Sequence, residues 1–291
     1  MSDMKKDARR LDRRAFLGVL GAGIGGACLG LANLDAVPVA LAAGTGGTAP
    51  SHPDKRTMRY DASKCVGCHY CEGACKNANG LSCEVEIDPT KLPEDVLPKA
   101  VIPDNVRKAA ADYMPVTSDD RDAERWLRVV ERSVDTADGP KTVQLRHSCT
   151  HCGLCAKVCP SKALAQRADG IVTVDPGLCI GCHYCYQACP FDIPRYRDGE
   201  PDKAVQKCIM CWSRVDDGEA PACVADCPTG ALSFGCFDAQ VAAGQAAVKA
   251  LASGGYPDAC LYGAAELGGI GLVYVLPYSP ETYGLPELPL G

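Results

Sequence analysis

The sequence predicts an α+β protein, loop-rich and built of short strands and helices, in which one cysteine-rich lobe is nested inside another. Three observations point there. Four cysteine motifs recur along the chain, and the middle two, within residues 149–190, form a self-contained pair that leaves the first and fourth to pair across them. Cys159-Pro160-Ser161-Lys162-Ala163-Leu164 is echoed by Cys227-Pro228-Thr229-Gly230-Ala231-Leu232, an internal repeat that composition alone would hide. Finally, 20 Cys, 30 Gly and 21 Pro stand against 4 Phe and 2 Trp, so the chain is rich in turn formers and poor in large core side chains. Something besides apolar packing must help hold it together.

The 47% hydrophobic and 23% charged content of the 291 residues is that of a soluble globular protein and argues against wholesale disorder. A formal net charge of −6 supplies no basic footprint for nucleic acid. Removing residues 1–42, with six basic and four acidic side chains, would take it to −8.

Those residues read as an address. Arg13 and Arg14 precede an apolar, glycine-rich stretch from Phe16 to about Leu34, and Ala40-Leu41-Ala42 suits signal peptidase. The pattern resembles a bacterial twin-arginine export signal over residues 1–42, with a mature chain starting at Ala43 and a Gly/Pro/Ser/Thr-rich linker over 43–56. An uncleaved anchor is the competing reading, weakened by Gly21, Gly23, Gly25 and Gly26. A lipoprotein signal ending at Cys28 is disfavoured by Gly25, where such signals usually carry leucine. The twin-arginine route, as it is understood, moves folded proteins, which suits a chain whose thiolates are already engaged with metal before they meet an oxidising compartment.

Cys65, Cys68, Cys71 and Cys75 form CxxCxxCxxxC. Cys149, Cys152, Cys155 and Cys159 repeat the pattern before Pro160, and Cys179, Cys182, Cys185 and Cys189 repeat it before Pro190. A fourth set, Cys208, Cys211, Cys223 and Cys227, is split and precedes Pro228. CxxCxxCxxxCP is the signature of bacterial two-cluster ferredoxins, in which three thiolates wrap one cubane and the fourth reaches to its neighbour. Between the middle motifs, Asp169-Gly170 signals a turn and Ile171 to Val174 a short strand, so residues 149–190 resemble a compact two-cluster ferredoxin throughout.

That resemblance implies four [4Fe-4S] clusters and a crossed ligand pattern. One cluster takes Cys65, Cys68, Cys71 and Cys227, and its neighbour takes Cys75, Cys208, Cys211 and Cys223. The inner pair takes Cys149, Cys152, Cys155 and Cys189, then Cys179, Cys182, Cys185 and Cys159. Zinc has no use for the third closely spaced cysteine, and the regular spacing argues against a disulfide framework. Cys65 to His69 and Cys179 to His183 satisfy the CxxCH pattern for covalent haem, but haem would leave the rest of each run without a role.

The implied organisation is an outer ferredoxin-like lobe over 57–83 and 203–236, an insertion over 84–139, an inner two-cluster lobe over 140–202, and a C-terminal helix and strand tail over 237–291. The insertion holds a Pro-rich stretch at 90–103 and a strand expected around Trp126 to Val130, read as a covering or partner-facing segment. Cys83, Cys236 and Cys260 are expected as buried small hydrophobes ahead of a disulfide formed after export. His147 and His151 flank the second motif, where hydrogen bonding to a cluster and ordinary packing are equally served. Trp212 is expected to shield a cluster or pack a lobe interface.

Taken together, residues 57–236 resemble the four-cluster iron-sulfur β subunits of respiratory oxidoreductases: formate dehydrogenases, molybdopterin oxyanion and sulfur-compound reductases, and hydrogenase-2-type uptake hydrogenases. Lys207-Cys208-Ile209-Met210-Cys211, Pro221-Ala222-Cys223 and Cys227 to Leu232 are similar to that family's fourth motif. The resemblance implies a non-catalytic subunit, periplasmic, that relays electrons between a catalytic large subunit and a membrane cytochrome or quinone-reactive subunit. The twin arginine and the tail from Gly271 to Pro289 lean toward the hydrogenase-2-type branch. The longest late apolar run is short and is expected as a strand, so attachment to the membrane would come from a partner. No nucleophile and base constellation, phosphate loop or substrate pocket signature is present, which argues against a small-molecule substrate of its own. A free-standing periplasmic multi-cluster ferredoxin is the alternative.

Overall fold

The chain adopts its fold in a computed structural model that describes residues 49–92, 123–136, 139–196 and 204–291. The export signal and residues 93–103 of the Pro-rich stretch lie outside the described residues. In chain order the elements are β1 (Arg56–Asp61), α1 (Tyr70–Asn79), β2 (Leu127–Thr136), β3 (Gly139–Ser148) and α2 (Leu154–Lys157). Next come β4 (Leu164–Gln166), β5 (Val172–Val174), α3 (Tyr184–Gln187), α4 (Trp212–Asp216) and α5 (Ala222–Ala225). The chain finishes with β6 (Leu232–Cys236), α6 (Phe237–Ser253), β7 (Cys260–Tyr262) and β8 (Leu272–Leu276).

Alternation along β1 and β8 builds the main sheet, whose order is β6-β1-β8-β7. β8 runs parallel to β1, while β6 and β7 are antiparallel to their neighbours. All five residues of β8 are buried, as a strand covered on both faces must be. Leu272, Tyr274 and Leu276 join Met58 and Tyr60 of β1 in the main core, which also contains Cys75, Cys149, Cys208 and Cys223. Val273 faces the other way and packs with Phe237 and Val241 of α6. The sheet is therefore a partition, with one long helix behind it and cysteine loops in front.

The late apolar run forms a strand, but that strand is central to the sheet and the 237–291 segment is structural rather than peripheral. The end of the expected linker is likewise engaged: Asp238, in the first turn of α6, accepts from the His52 N–H and the Ser51 hydroxyl, both at 2.7 Å. Those two donors hold the Asp238 carboxyl below its usual value, and its negative charge suits the positive end of the helix. At Gly269, φ is +88° and an added Cβ would lie 2.5 Å from the Phe237 ring, so both backbone and packing require glycine there.

β2 and β3 form a long antiparallel ribbon, in register from Leu127↔Ser148 to Thr136↔Gly139. Its base is buried through Leu127, Val129, Leu145, Arg146 and Ser148, whereas Arg132, Ser133, Lys141 and Thr142 toward the tip are exposed. The strand expected from Trp126 is thus one arm of a hairpin whose other arm leads directly into the second cysteine motif. The side chain of Glu72 on α1, only 4% exposed, accepts from the Val129 N–H at 2.6 Å and docks that base onto the first cysteine loop. A second small ribbon pairs β4 with β5, as expected for the segment around Asp169-Gly170. Among the described residues no helix is long and apolar enough to cross a membrane.

Because β8 holds the partition together, Leu272→Ala is expected to cost about 2–5 kcal/mol of stability. Leu290→Ala, at a side chain 67% exposed, should cost little. Thermal midpoints of the anaerobically purified proteins at one scan rate test this. Equal midpoints for wild type and Leu272→Ala would show that β8 is peripheral after all.

Candidate iron-sulfur site

Each cysteine loop bends the same way before its helix starts. Two residues after the leading cysteine the backbone enters the left-handed region, at Gly67 (φ 68°), His151 (φ 52°), Gly181 (φ 66°) and Met210 (φ 56°). In the first three loops a second left-handed residue follows at His69, Gly153 or His183, immediately before α1, α2 or α3. The fourth loop places Met210 and Cys211 consecutively in that region and begins α4 one residue earlier relative to its leading cysteine. This is also the motif whose third cysteine is displaced to Cys223 on α5.

Such conformations are costly for residues other than glycine and persist where they serve a site. Here they turn backbone N–H groups toward sulfur. The His151 N–H lies 3.4 Å from the Cys149 Sγ, and the Met210 N–H lies 3.4 Å from the Cys208 Sγ. Gly67 and Tyr70 donate similarly to Cys65 and Cys68, and Leu154 to Cys152. Successive N–H groups facing one point make a cradle for anionic sulfur. At Gly67 a Cβ would also meet the Gln144 side chain at 2.8 Å.

The fold brings the sixteen cysteines of the sequence pattern together in groups. Cys149, Cys152, Cys155 and Cys189 line one recess, together with His151, Phe191 and Lys207. Cys65, Cys68, Cys71 and Cys227 line a second, with Tyr60 and Arg146. Cys75, Cys208, Cys211 and Cys223 face one another electrostatically, and the Asn79 amide lies 3.7 Å from the Cys75 sulfur and 4.0 Å from that of Cys211. Cys179 and Cys182 lie beside Cys185. Cys159 shares a small apolar cluster with Cys179 and Cys185, which Cys155 also joins. Among the described residues no three His, Cys, Asp or Glu side chains converge closely enough to hold a single metal ion.

Burial alone would keep most of these sulfurs protonated. It pushes the Cys68 thiol up to about 11, and Cys189 and Cys208 up to about 12. Cys159 is the exception: burial raises it, but donation from the Leu164, Ala163 and Ser161 N–H groups and the Ser161 hydroxyl outweighs that and lowers it. Two fully buried cations stand among the sulfurs. Arg146 donates to the Ser148 hydroxyl and to the Cys223 sulfur at 3.5 Å, and Lys207 donates to the carbonyls of Val172 and Cys208 at 2.7 and 3.0 Å. Neither has a carboxylate partner among the described residues.

The histidines divide. His151 is fully buried, accepts from the Val172 N–H at 2.9 Å through Nδ1, and is held neutral by burial and by Lys207 and Arg146 nearby. Its proton therefore sits on Nε2, a buried atom without a partner among the described residues. His147 instead bonds the Phe191 carbonyl at 2.9 Å. Of the two CxxCH histidines, His69 pairs with Glu72 at 2.7 Å and His183 stacks on Tyr196 at 3.9 Å between centroids. The Tyr196 hydroxyl is 3.0 Å from the Cys185 sulfur. Trp212, expected to shield a cluster or pack a lobe interface, is 39% exposed and lies against Arg167. Cys83 is buried as expected, whereas Cys236 and Cys260 are half-buried.

Arg146, Tyr60 and Tyr196 carry no sequence signal, since each sits in an ordinary stretch and only the fold delivers it to a sulfur. Lys207 adjoins Cys208, so its place beside a motif was legible, though its burial was not.

Comparison with known proteins agrees with this chemistry. Residues 141–237, covering the second to fourth motifs, match the 4Fe-4S dicluster domain. The chain is 34% identical over 276 residues to a protein of Nitratidesulfovibrio vulgaris, covering 92% of this chain and 66% of that one. It is 34% identical over 247 residues to the formate dehydrogenase iron-sulfur subunit of Haemophilus influenzae, covering 83% and 72%. With the B subunit of the anaerobic dimethyl sulfoxide reductase of Escherichia coli it shares 36% identity over 180 residues, covering 61% and 72%. With its buried, loop-cradled cysteines and these relatives, the chain belongs to the family of iron-sulfur electron-transfer subunits of respiratory oxidoreductases, of the formate dehydrogenase and dimethyl sulfoxide reductase type.

Proposed function

We propose that the chain carries four [4Fe-4S] clusters in two nested ferredoxin-like lobes and relays electrons between a catalytic subunit and a membrane quinone or cytochrome partner. The observation that carries the count is the grouping of sulfurs. Two recesses each combine three thiols of one motif with the last cysteine of another, as the crossed ligand pattern requires. The residues present fit a cluster in a further respect. Cations as deeply buried as Arg146 and Lys207 are normally paired, and anionic sulfur bound to iron supplies the missing countercharge.

Each such cluster, when bound, accepts and returns one electron at a potential set by hydrogen bonds, charge and burial. The chain's own residues set those terms. Backbone N–H groups in the four loops stabilise anionic sulfur, Tyr196 places a hydroxyl at Cys185, and Tyr60 lies against Cys65 while donating to the Gln144 carbonyl at 2.8 Å. The relatives are named as subunits of formate dehydrogenase and dimethyl sulfoxide reductase, which supports a catalytic partner for this chain too. We further propose export by the twin-arginine route and a periplasmic location, with membrane attachment through the partner.

Chemical analysis should find roughly sixteen irons and sixteen acid-labile sulfides in each fully loaded molecule. A content near eight would halve the proposed count. Cys227→Ala should remove or convert the one cluster built on Cys65, Cys68 and Cys71, which EPR would show as loss of a single signal. Four unchanged signals in that variant would contradict the crossed assignment.

Tyr196→Phe tests the hydroxyl at Cys185. The variant should keep its full iron content while the reduction potential of one cluster falls, because a donor to anionic sulfur favours the more negative, reduced state. An unchanged set of potentials would show that the hydroxyl merely packs there. Co-purification of a large subunit from the native host separates the relay from a free-standing ferredoxin, which would be isolated alone.

A further inference from the structure

We propose that Arg146 is the shared countercharge of two sulfur sets and raises the reduction potentials of both clusters of the outer lobe together. The inference rests on the functional reading above and extends it to a residue outside every cysteine motif.

The geometry is that of a charge placed between two sites. Arg146 comes from β3, in the hairpin between the first and second motifs, and is 1% exposed. Its side chain lines the recess of Cys65, Cys68, Cys71 and Cys227. On its other side, its guanidinium donates to the Sγ of Cys223, a member of the set with Cys75, Cys208 and Cys211. The Ser148 hydroxyl and the Met58 thioether, at 3.9 Å, fix the remainder of the fork, and its Nε is buried without a partner among the described residues.

A guanidinium remains protonated at any working pH, so this is a fixed positive charge. One electron added to either cluster, supplied by a redox partner, increases the negative charge beside it by one and releases no group. A nearby cation stabilises that state more than the oxidised one, and low polarisability around it keeps the effect from being screened. Since both sets feel the same charge, their potentials move together. Arg146 therefore sets the level of the outer pair against the inner pair while leaving the step within the outer pair largely unaltered. Lys207 stands differently, because its ammonium lines the inner recess and is spent on two carbonyls.

The test compares Arg146→Gln and Arg146→Lys with wild type in the full-length, anaerobically purified protein, by iron and sulfide content and by EPR-monitored redox titration. Arg146→Gln should lower two of the four midpoint potentials and leave two in place, and one of the two that move should be the signal lost in Cys227→Ala. Arg146→Lys, which keeps the charge, should move them less. If the Gln variant loses iron from the outer pair while the Lys variant keeps its full content, the need for charge is shown by assembly instead. Unchanged potentials in Arg146→Gln, equal shifts in both variants, or loss of clusters from both would overturn the proposal and leave Arg146 a packing residue. A wild-type protein with fewer than four clusters would sink the functional reading and this inference with it. A fully loaded wild type whose Gln variant titrates identically would sink this inference alone.

Discussion

Concentrating sulfur inside a protein is an electrostatic problem before it is a structural one. The interior penalises charge, and the burial of Cys68, Cys189 and Cys208 drives each thiol toward its neutral form. Metal binding needs the opposite state. The chain meets this requirement with donors that cannot move away: N–H groups locked by left-handed residues, a guanidinium tied to Ser148, and an ammonium tied to two carbonyls. Each is held by backbone or by buried side chains rather than placed on a mobile surface side chain, so the favourable field exists before any electron arrives.

The same constraint shapes the fold around the sulfurs. With only four Phe and two Trp, the chain has few side chains able to fill a large interior. The sheet is packed largely by tyrosine and aliphatic side chains instead: Tyr60, Tyr262 and Tyr274 make edge-on contacts in front, an unbroken apolar β8 lies between, and Phe237 stands behind. The cysteine loops then pack against this sheet, and their own helices are only four or five residues long apart from α1. Helices that short gain little from propensity and depend on what their ends are attached to. In the proposed holoprotein the attachments are the sulfur sets, which join segments as distant as Cys65 and Cys227.

Much of the site was legible because cysteine spacing is a local property that reports a non-local arrangement. The four motifs, the short strand after Gly170 and the strand after Trp126 all follow from runs of a few residues. What escaped was anything whose meaning depends on a partner distant in sequence. β8 reads as a modest apolar run in a tail, and nothing within Leu272 to Leu276 says that β1, more than two hundred residues earlier, will lie beside it. Gly67 and Gly181 advertise a left-handed turn, but Met210 at the equivalent place does not, since only the fixed sulfur beyond it makes that conformation worth its strain. Arg146 lies outside every cysteine motif, between Leu145 and His147, and nothing in that stretch marks it for burial beside sulfur.

Four nearly identical loops would give four nearly identical environments, and a relay built from them would have no direction of its own. Part of the difference comes from outside the motifs. The set around Cys223 is buried against Arg146, the set around Cys149 faces Lys207 and the neutral His151, and the set around Cys65 meets Tyr60. Cys185 meets Tyr196, in a region where Leu178, Ile180 and Tyr184 are 49%, 66% and 53% exposed. Charge, hydrogen bonding and solvent access are the means by which a protein separates the potentials of chemically equal clusters. Here each set receives a different combination of them, and Arg146, Lys207, Tyr60 and Tyr196 come from segments that contribute no cysteine to the set they meet. In the proposed four-cluster relay, repetition of the motif supplies capacity, while the non-repeating residues distinguish one site from another.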